Sequence, residues 1–422
     1  MSKFINIETQ KIVQEITNET DPNRILSLWA YNKEKLKGVR LLAHINNFDS
    51  ELLPRHLEKK EFEGKSKAFL QEFYRNRNLF VLSNEILDAH LSSATLKLPV
   101  DYSLLLDSNY IGSIDLFLRG MSVGNNYDAL TRSMYYILSN KLNCDALPYL
   151  FENIEHIAER KEDVTRSFAN FLRISSATPK SDCIRTPEDL AFQLSEADSL
   201  DLAKQRIFNF YHDKEVLKNH ILRQKTDFYI ILSMIHIEHH VKGELSEKFS
   251  ALLTIMHSEI RGIALRELVV AYKYFKNNNS IFILANLGRL IKESNSSVKA
   301  IRNISWDFHF FRLMETWASD TSKATFFIPM FVTLDKRLAN LNEIYPAKYT
   351  VFHDIERKMY TAPALDIRSQ IDNKACRLIL EDYFTPQKTS QRANGARLSP
   401  DALEEKIKKK GSELDAIFLA TK

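Results

Sequence analysis

The chain has 422 residues, 44% of them hydrophobic and 27% charged, with 58 Lys and Arg against 54 Asp and Glu for a formal net charge of +4. That is apolar material for two or three domains, and a charge balance that permits a nucleic-acid partner without demanding one. With only 10 Gly and 11 Pro, turn-rich all-β architectures are disfavoured and long helices are expected.

Residues 1–97 read as a helical amino-terminal subdomain. Ile5, Ile12, Val13 and Ile16 form one helical stripe, Asp21-Pro22 interrupts it, and Ile25, Leu26, Leu28, Trp29 and Leu36 begin another. Residues 98–160 change character. Leu104-Leu105-Leu106 is a short apolar run with no polar face, suited to a central strand of a parallel sheet, although a buried helix has the same pattern. Asp107 ends the run, and Ser108-Asn109 turn the chain into a helix, so a carboxylate stands where open α/β sheets place their ligands. A helix cap is the plainer role for the same Asp. Gly112, Gly120 and Gly124 are too dispersed for a phosphate-cradling loop.

Residues 161–299 keep helical spacing, as in Leu252, Leu253, Met256, Ile260, Leu265, Leu268 and Val269, and are expected to be a helical insertion. Residues 300–384 return to the core and are expected to continue as helices after it. Ser305 to Met314 reads as an amphipathic helix with Asp307 near its start, and Phe326 to Leu334 is a second β-prone apolar run, ended by Asp335 and followed by Lys336 and Arg337. Residues 385–422 read as a polar flexible link and a last helix after a Ser399 cap. No stretch approaches the length of a membrane span. Cys144, Cys183 and Cys376 lie too far apart to form a ligand pair, so free thiols in a reducing cytoplasm are expected.

The order of strand ending in Asp107, helix carrying Asp307 and strand ending in Thr333-Leu334-Asp335 resembles the PIN-domain nucleases. In that family a strand ends in Asp, a small residue and Asn, as Asp107-Ser108-Asn109 does here. The segment Asp145 to Glu152 resembles the family's Pro-containing stretch that leads to a middle acid. The resemblance implies an α/β fold with a PIN-like parallel-sheet core. It implies Asp107, Glu152, Asp307 and Asp335 as catalytic and metal-ligating residues for Mg²⁺ or Mn²⁺, and phosphodiester hydrolysis with RNA as the favoured substrate. The long gap from Glu152 to Asp307 departs from the family pattern and leaves Glu155, Glu259 and Glu267 open as alternative middle acids.

The chemistry is consistent with the residue types. A hard dication takes oxygen ligands, lowers the pKa of a bound water and neutralises charge on a phosphate. Carboxylates gathered without a cation repel each other. Lys336 and Arg337 are candidates for phosphate contact, and Asn109 for contact with substrate or for orienting Asp107. Two other patterns compete. Arg302 and His309 fit the loose Arg-spacer-His pattern of metal-free HEPN-type ribonucleases. His236 and His240 share a helix face as zinc ligands do, but lack the Glu that follows the first His in zincins, so a polar helix surface is expected there. A helical interaction protein without catalysis would make every named acid a cap or surface residue.

Overall fold

The computed structural model describes residues 7–45, 52–74, 78–92, 100–212, 214–318, 325–338, 341–356, 358–364 and 366–420. Residues 98 and 99, the first of the expected core, lie outside them, as does Ile5 of the first helical stripe. Among the described residues ten strands run in chain order: β1 Val39–His44, β2 Phe69–Glu72, β3 Leu79–Leu82, β4 Val100–Leu106, β5 Cys144–Asp145, β6 Thr178–Pro179, β7 Leu190–Ala191, β8 Phe326–Thr333, β9 Ala347–His353 and β10 Lys358–Pro363. The fold is mixed α/β, with helices making up most of it.

The two apolar runs of the sequence are neighbours. β4 and β8 pair in parallel, from Val100 opposite Phe326 to Leu106 opposite Val332. They form the centre of a four-stranded sheet ordered β2-β8-β4-β5. β5 joins in parallel and β2 antiparallel to β8. Leu104, Leu105 and Leu106 are all buried, which is why the run has no polar alternation. Helices Ser108–Leu118 and Ser297–Trp317 pack on β8, and Leu147–Glu152 on β4. The stacked rings of Phe310 and Phe331, 5.3 Å apart, fasten the long helix to the sheet.

The expectation that residues 1–97 are a helical subdomain is corrected. They contain β1, β2 and β3. β1 and β9 are the inner strands of a second, antiparallel sheet ordered β10-β9-β1-β3, so this segment is joined to residues 347–363, which form β9 and β10 where helices were expected to follow the core. The first five residues of β1 are buried without alternation, so its pattern cannot be told from a buried helical turn. The helical stripes do exist: Ile12, Val13, Ile16, Ile25 and Trp29 pack with that sheet in a core of their own, and Asp21 caps the helix Pro22–Tyr31.

Residues 161–299 are helical apart from the short β6–β7 ladder and a few single turns. The polar stretch expected to be a flexible link is corrected too. Pro386–Asn394 is a helix with Pro at its start, where a missing N–H costs nothing. It is held by Arg392, which is buried and donates to the carbonyl of Tyr383 at 2.6 Å. The last helix, Pro400–Phe418, is capped by Ser399 and buries Leu403, Ile407 and Leu414. Gly411 lets it approach the helix Ser297–Trp317, since a Cβ there would collide with Val298. Among the described residues no helix is long and apolar enough to cross a membrane, and the three cysteines are free.

Candidate active site

The site starts where β4 ends. The amide of Asp107 donates to the carbonyl of Val332, continuing the β4–β8 ladder by one residue. The Asp107 carbonyl accepts from Ile111 and opens the helix Ser108–Leu118. Its backbone therefore occupies the cap position, while its side chain makes no cap hydrogen bond. The carboxylate instead accepts from Thr333 Oγ1 at 2.7 Å, across the strand pair. Thr333 Oγ1 in turn accepts from the amide of Asp335 at 3.0 Å. This relay aims the hydroxyl proton at Asp107 and gives the Thr-x-Asp pattern a physical role.

Two acids from other elements meet Asp107. Glu152 ends the helix Leu147–Glu152, whose start is set by Asp145 accepting from the Leu147 amide at 2.8 Å. Asp307 lies at the middle of the helix Ser297–Trp317, not near its start, because the helix begins eight residues earlier than the sequence pattern indicates. No helix-terminal amides compensate its charge. Carboxylate oxygens of Asp107, Glu152 and Asp307 lie within 4.8 Å of one another.

Electrostatics follow from this crowding. Burial pushes Asp107 up to about 6, helped by the charge of Asp335 and opposed by the Thr333 hydrogen bond. Burial, then the charge of Asp107, pushes Glu152 up to about 8, with the Ser108 hydroxyl pulling the other way. Asp307 is raised well above the usual carboxylate range by burial and by Asp107, Glu152 and Asp335, with Arg337 opposing. Each charged form is disfavoured by desolvation and by like charges.

Asp335 is within electrostatic reach of Asp107 and Asp307, but it is not one of the three converging acids. Arg337 takes its carboxylate through both Nε and a terminal nitrogen, and donates its own amide as well. Arg337, expected at the substrate, therefore clamps Asp335 while also lining the adjoining cavity. Lys336 is exposed and forms no ion pair among the described residues. With Asn109 it lines a cavity of about 1030 Å³ beside the acids, which also receives Arg160, Arg166 and Arg289. These three arginines come from remote segments, and no local motif marks them in the sequence.

The alternative middle acids are occupied elsewhere. Glu155 pairs with Arg302 and Lys225, Glu259 with Lys406 and the Tyr229 hydroxyl, and Glu267 is fully buried on Arg312. The Arg302–His309 pattern is not an open catalytic pair. Arg302 faces Glu155, while His309 is 1% exposed with Nδ1 on Asp227 at 2.8 Å. In comparisons with known proteins, no family model, no curated protein and no solved structure matches the chain.

Proposed function

We propose that this chain is a metal-dependent phosphodiesterase with a PIN-like acidic centre, an endoribonuclease whose Mg²⁺ or Mn²⁺ is held by Asp107, Glu152 and Asp307. The observation that carries this reading is the convergence of three acids from three segments within 4.8 Å, with no cation paired to any of them among the described residues. Such a cluster costs folding free energy unless a cation relieves it. The donor set is all oxygen, which suits a hard dication and not a thiolate- or imidazole-seeking one.

The bound ion would lower the pKa of a water and offset negative charge at the scissile phosphate. The rest of the work falls to side chains. Thr333 orients the Asp107 carboxylate. Arg337 holds the Asp335 carboxylate in place beside the ligands without adding a fourth one. Lys336 and Arg160, which make no ion pair among the described residues, line the adjoining cavity as phosphate contacts. Asn109, on the same wall, offers an amide to the sugar or base.

The test is cleavage of a mixed RNA panel by the full chain. Activity is expected with Mg²⁺ or Mn²⁺, is lost in EDTA, and is lost in folded Asp107→Asn and Asp307→Asn proteins. Activity that persists in EDTA and disappears in His309→Ala would replace this reading with the metal-free one. No cleavage and no Mn²⁺ binding would leave an interaction protein.

A further inference from the structure

The longest helix, Lys214–His240, ends in His236-Ile237-Glu238-His239-His240. His236 and His240 stand one turn apart with their rings stacked, 3.9 Å between centroids and 12° between planes. Of the ligand-type residues between them, Glu238 pairs with Lys248 and His239 packs on Phe418. The fold brings a third ligand from far along the chain: Glu413, on the helix Pro400–Phe418, places Oε2 2.5 Å from His236 Nε2. Ligand-capable atoms of His236, His240 and Glu413 all lie within 4.8 Å of one another.

The geometry assigns His236, His240 and Glu413 as a site for a borderline divalent transition metal, Zn²⁺ above all, at the seam between the two helices. His240 Nδ1 lies 3.0 Å from the His236 carbonyl, so Nδ1 carries the proton and Nε2 keeps its lone pair. A backbone carbonyl holding one ring nitrogen is how metal-binding histidines are commonly oriented. Two imidazoles and one carboxylate, with the fourth position open to solvent beside exposed His240, form a His₂Glu set familiar for zinc. Mg²⁺ has little use for imidazole, so this site and the acidic centre select different ions.

A plain His–Glu ion pair accounts for the short contact but not for His240, which stacks on His236 with its lone pair available. Lys410 and Lys409 oppose a dication here, while Glu259 answers Lys410, so micromolar rather than tighter binding is expected. The metal would pin the last helix, which also receives the Ser297 amide on Asp415 at 2.6 Å, at the start of the helix that carries Asp307.

The experiment uses the full chain stripped of metal, titrated with ZnCl₂ by calorimetry and with Co²⁺ by visible absorption, alongside thermal melts. One Zn²⁺ per chain, a Co²⁺ spectrum of low coordination number and a rise in melting temperature are expected. His240→Ala and Glu413→Gln should each weaken Zn²⁺ by more than the roughly 10–100-fold that losing an outer-shell partner costs, and Asp107→Asn should leave it unchanged. His240 is exposed, so that variant should fold, as circular dichroism checks; if it does not, Glu413→Gln decides. Zn²⁺ binding that is absent from the wild type, or equal in the wild type and the decisive variant, overturns the site. Binding lost in Asp107→Asn instead places the ion at the acidic centre and also overturns it. None of these outcomes depends on RNA cleavage.

Discussion

Asp107 and Asp227 are buried alike, 1% and 5% exposed, yet their carboxylates shift in opposite directions. Burial alone would raise both. At Asp227 the charge of Arg312, 3.3 Å away, and the hydrogen bond from His309 overcome burial and take it below the usual range. At Asp107 the partner is a neutral hydroxyl and the neighbours are acids, so it rises to about 6. One helix, Ser297–Trp317, serves both places. It gives Asp307 to the first cluster and His309 and Arg312 to the second. The fold can thus supply cations to buried acids and does so for Asp227 and Glu267. Among the described residues Asp107, Glu152 and Asp307 have no paired cation, which a purely structural interior avoids and the proposed ion-binding centre would need.

The comparison breaks most directly at Asp307. Asp307→Asn removes one of the three charges while keeping side-chain size. Cleavage should fall on the order of 100-fold or more, about 2.7 kcal/mol of transition-state stabilisation, and the metal-free protein should melt no lower than wild type. A variant that cleaves normally would make the cluster incidental. The other cluster should answer in stability instead. Arg312→Met leaves fully buried Glu267, and Asp227 beside it, without their cation, at a cost of about 3–5 kcal/mol. Urea unfolding measures this, and a loss below about 1 kcal/mol would show that the network carries little.

How much of this was legible follows the same physics. β4 and β8 show in the sequence because both faces are covered, so each is an apolar run ended by an acid. Asp107, Glu152 and Asp307 were named from those ends and from the motif order. β1, β3, β9 and β10 were not seen, because a strand of the antiparallel sheet has no signal apart from its partners, and β1 pairs with β9 more than 300 residues away. The pairing of Arg337 with Asp335 was missed because adjacency does not tell which way a side chain turns. Glu413 and the arginines of the cavity wall are joined to their sites only by tertiary contact.

Acidity offers a smaller effect with a definite sign. In the metal-free protein the folded-state values of Asp107 and Glu152 lie at about 6 and about 8, above the unfolded values of about 4. The folded chain therefore holds protons that the unfolded chain has released across that window. Stability from these groups is full below about pH 4 and is lost as pH rises through 6 towards 8. In EDTA the melting temperature should fall between pH 5 and pH 8, Asp307→Asn should flatten the fall, and millimolar Mg²⁺ should oppose it at the alkaline end. A profile that rises over this range in EDTA would mean that the acids are not crowded in solution.

The smallest effect is expected at the rim. Lys336 follows Asp335 directly, is exposed, and makes no ion pair among the described residues, whereas Arg337 is spent on Asp335. Two adjacent cations therefore have separate jobs. Lys336→Ala should raise KM for RNA about two- to fivefold, lower the salt dependence of binding by about one phosphate contact, and leave kcat alone. Arg337→Ala should act on kcat, because it frees a carboxylate within electrostatic reach of Asp107 and Asp307 and removes the charge that opposes the rise of Asp307. Steady-state kinetics at two salt concentrations separate the two. Equal effects of both variants on KM alone would return Arg337 to the substrate-contact role first read for it, and would leave Asp335 available to the ion.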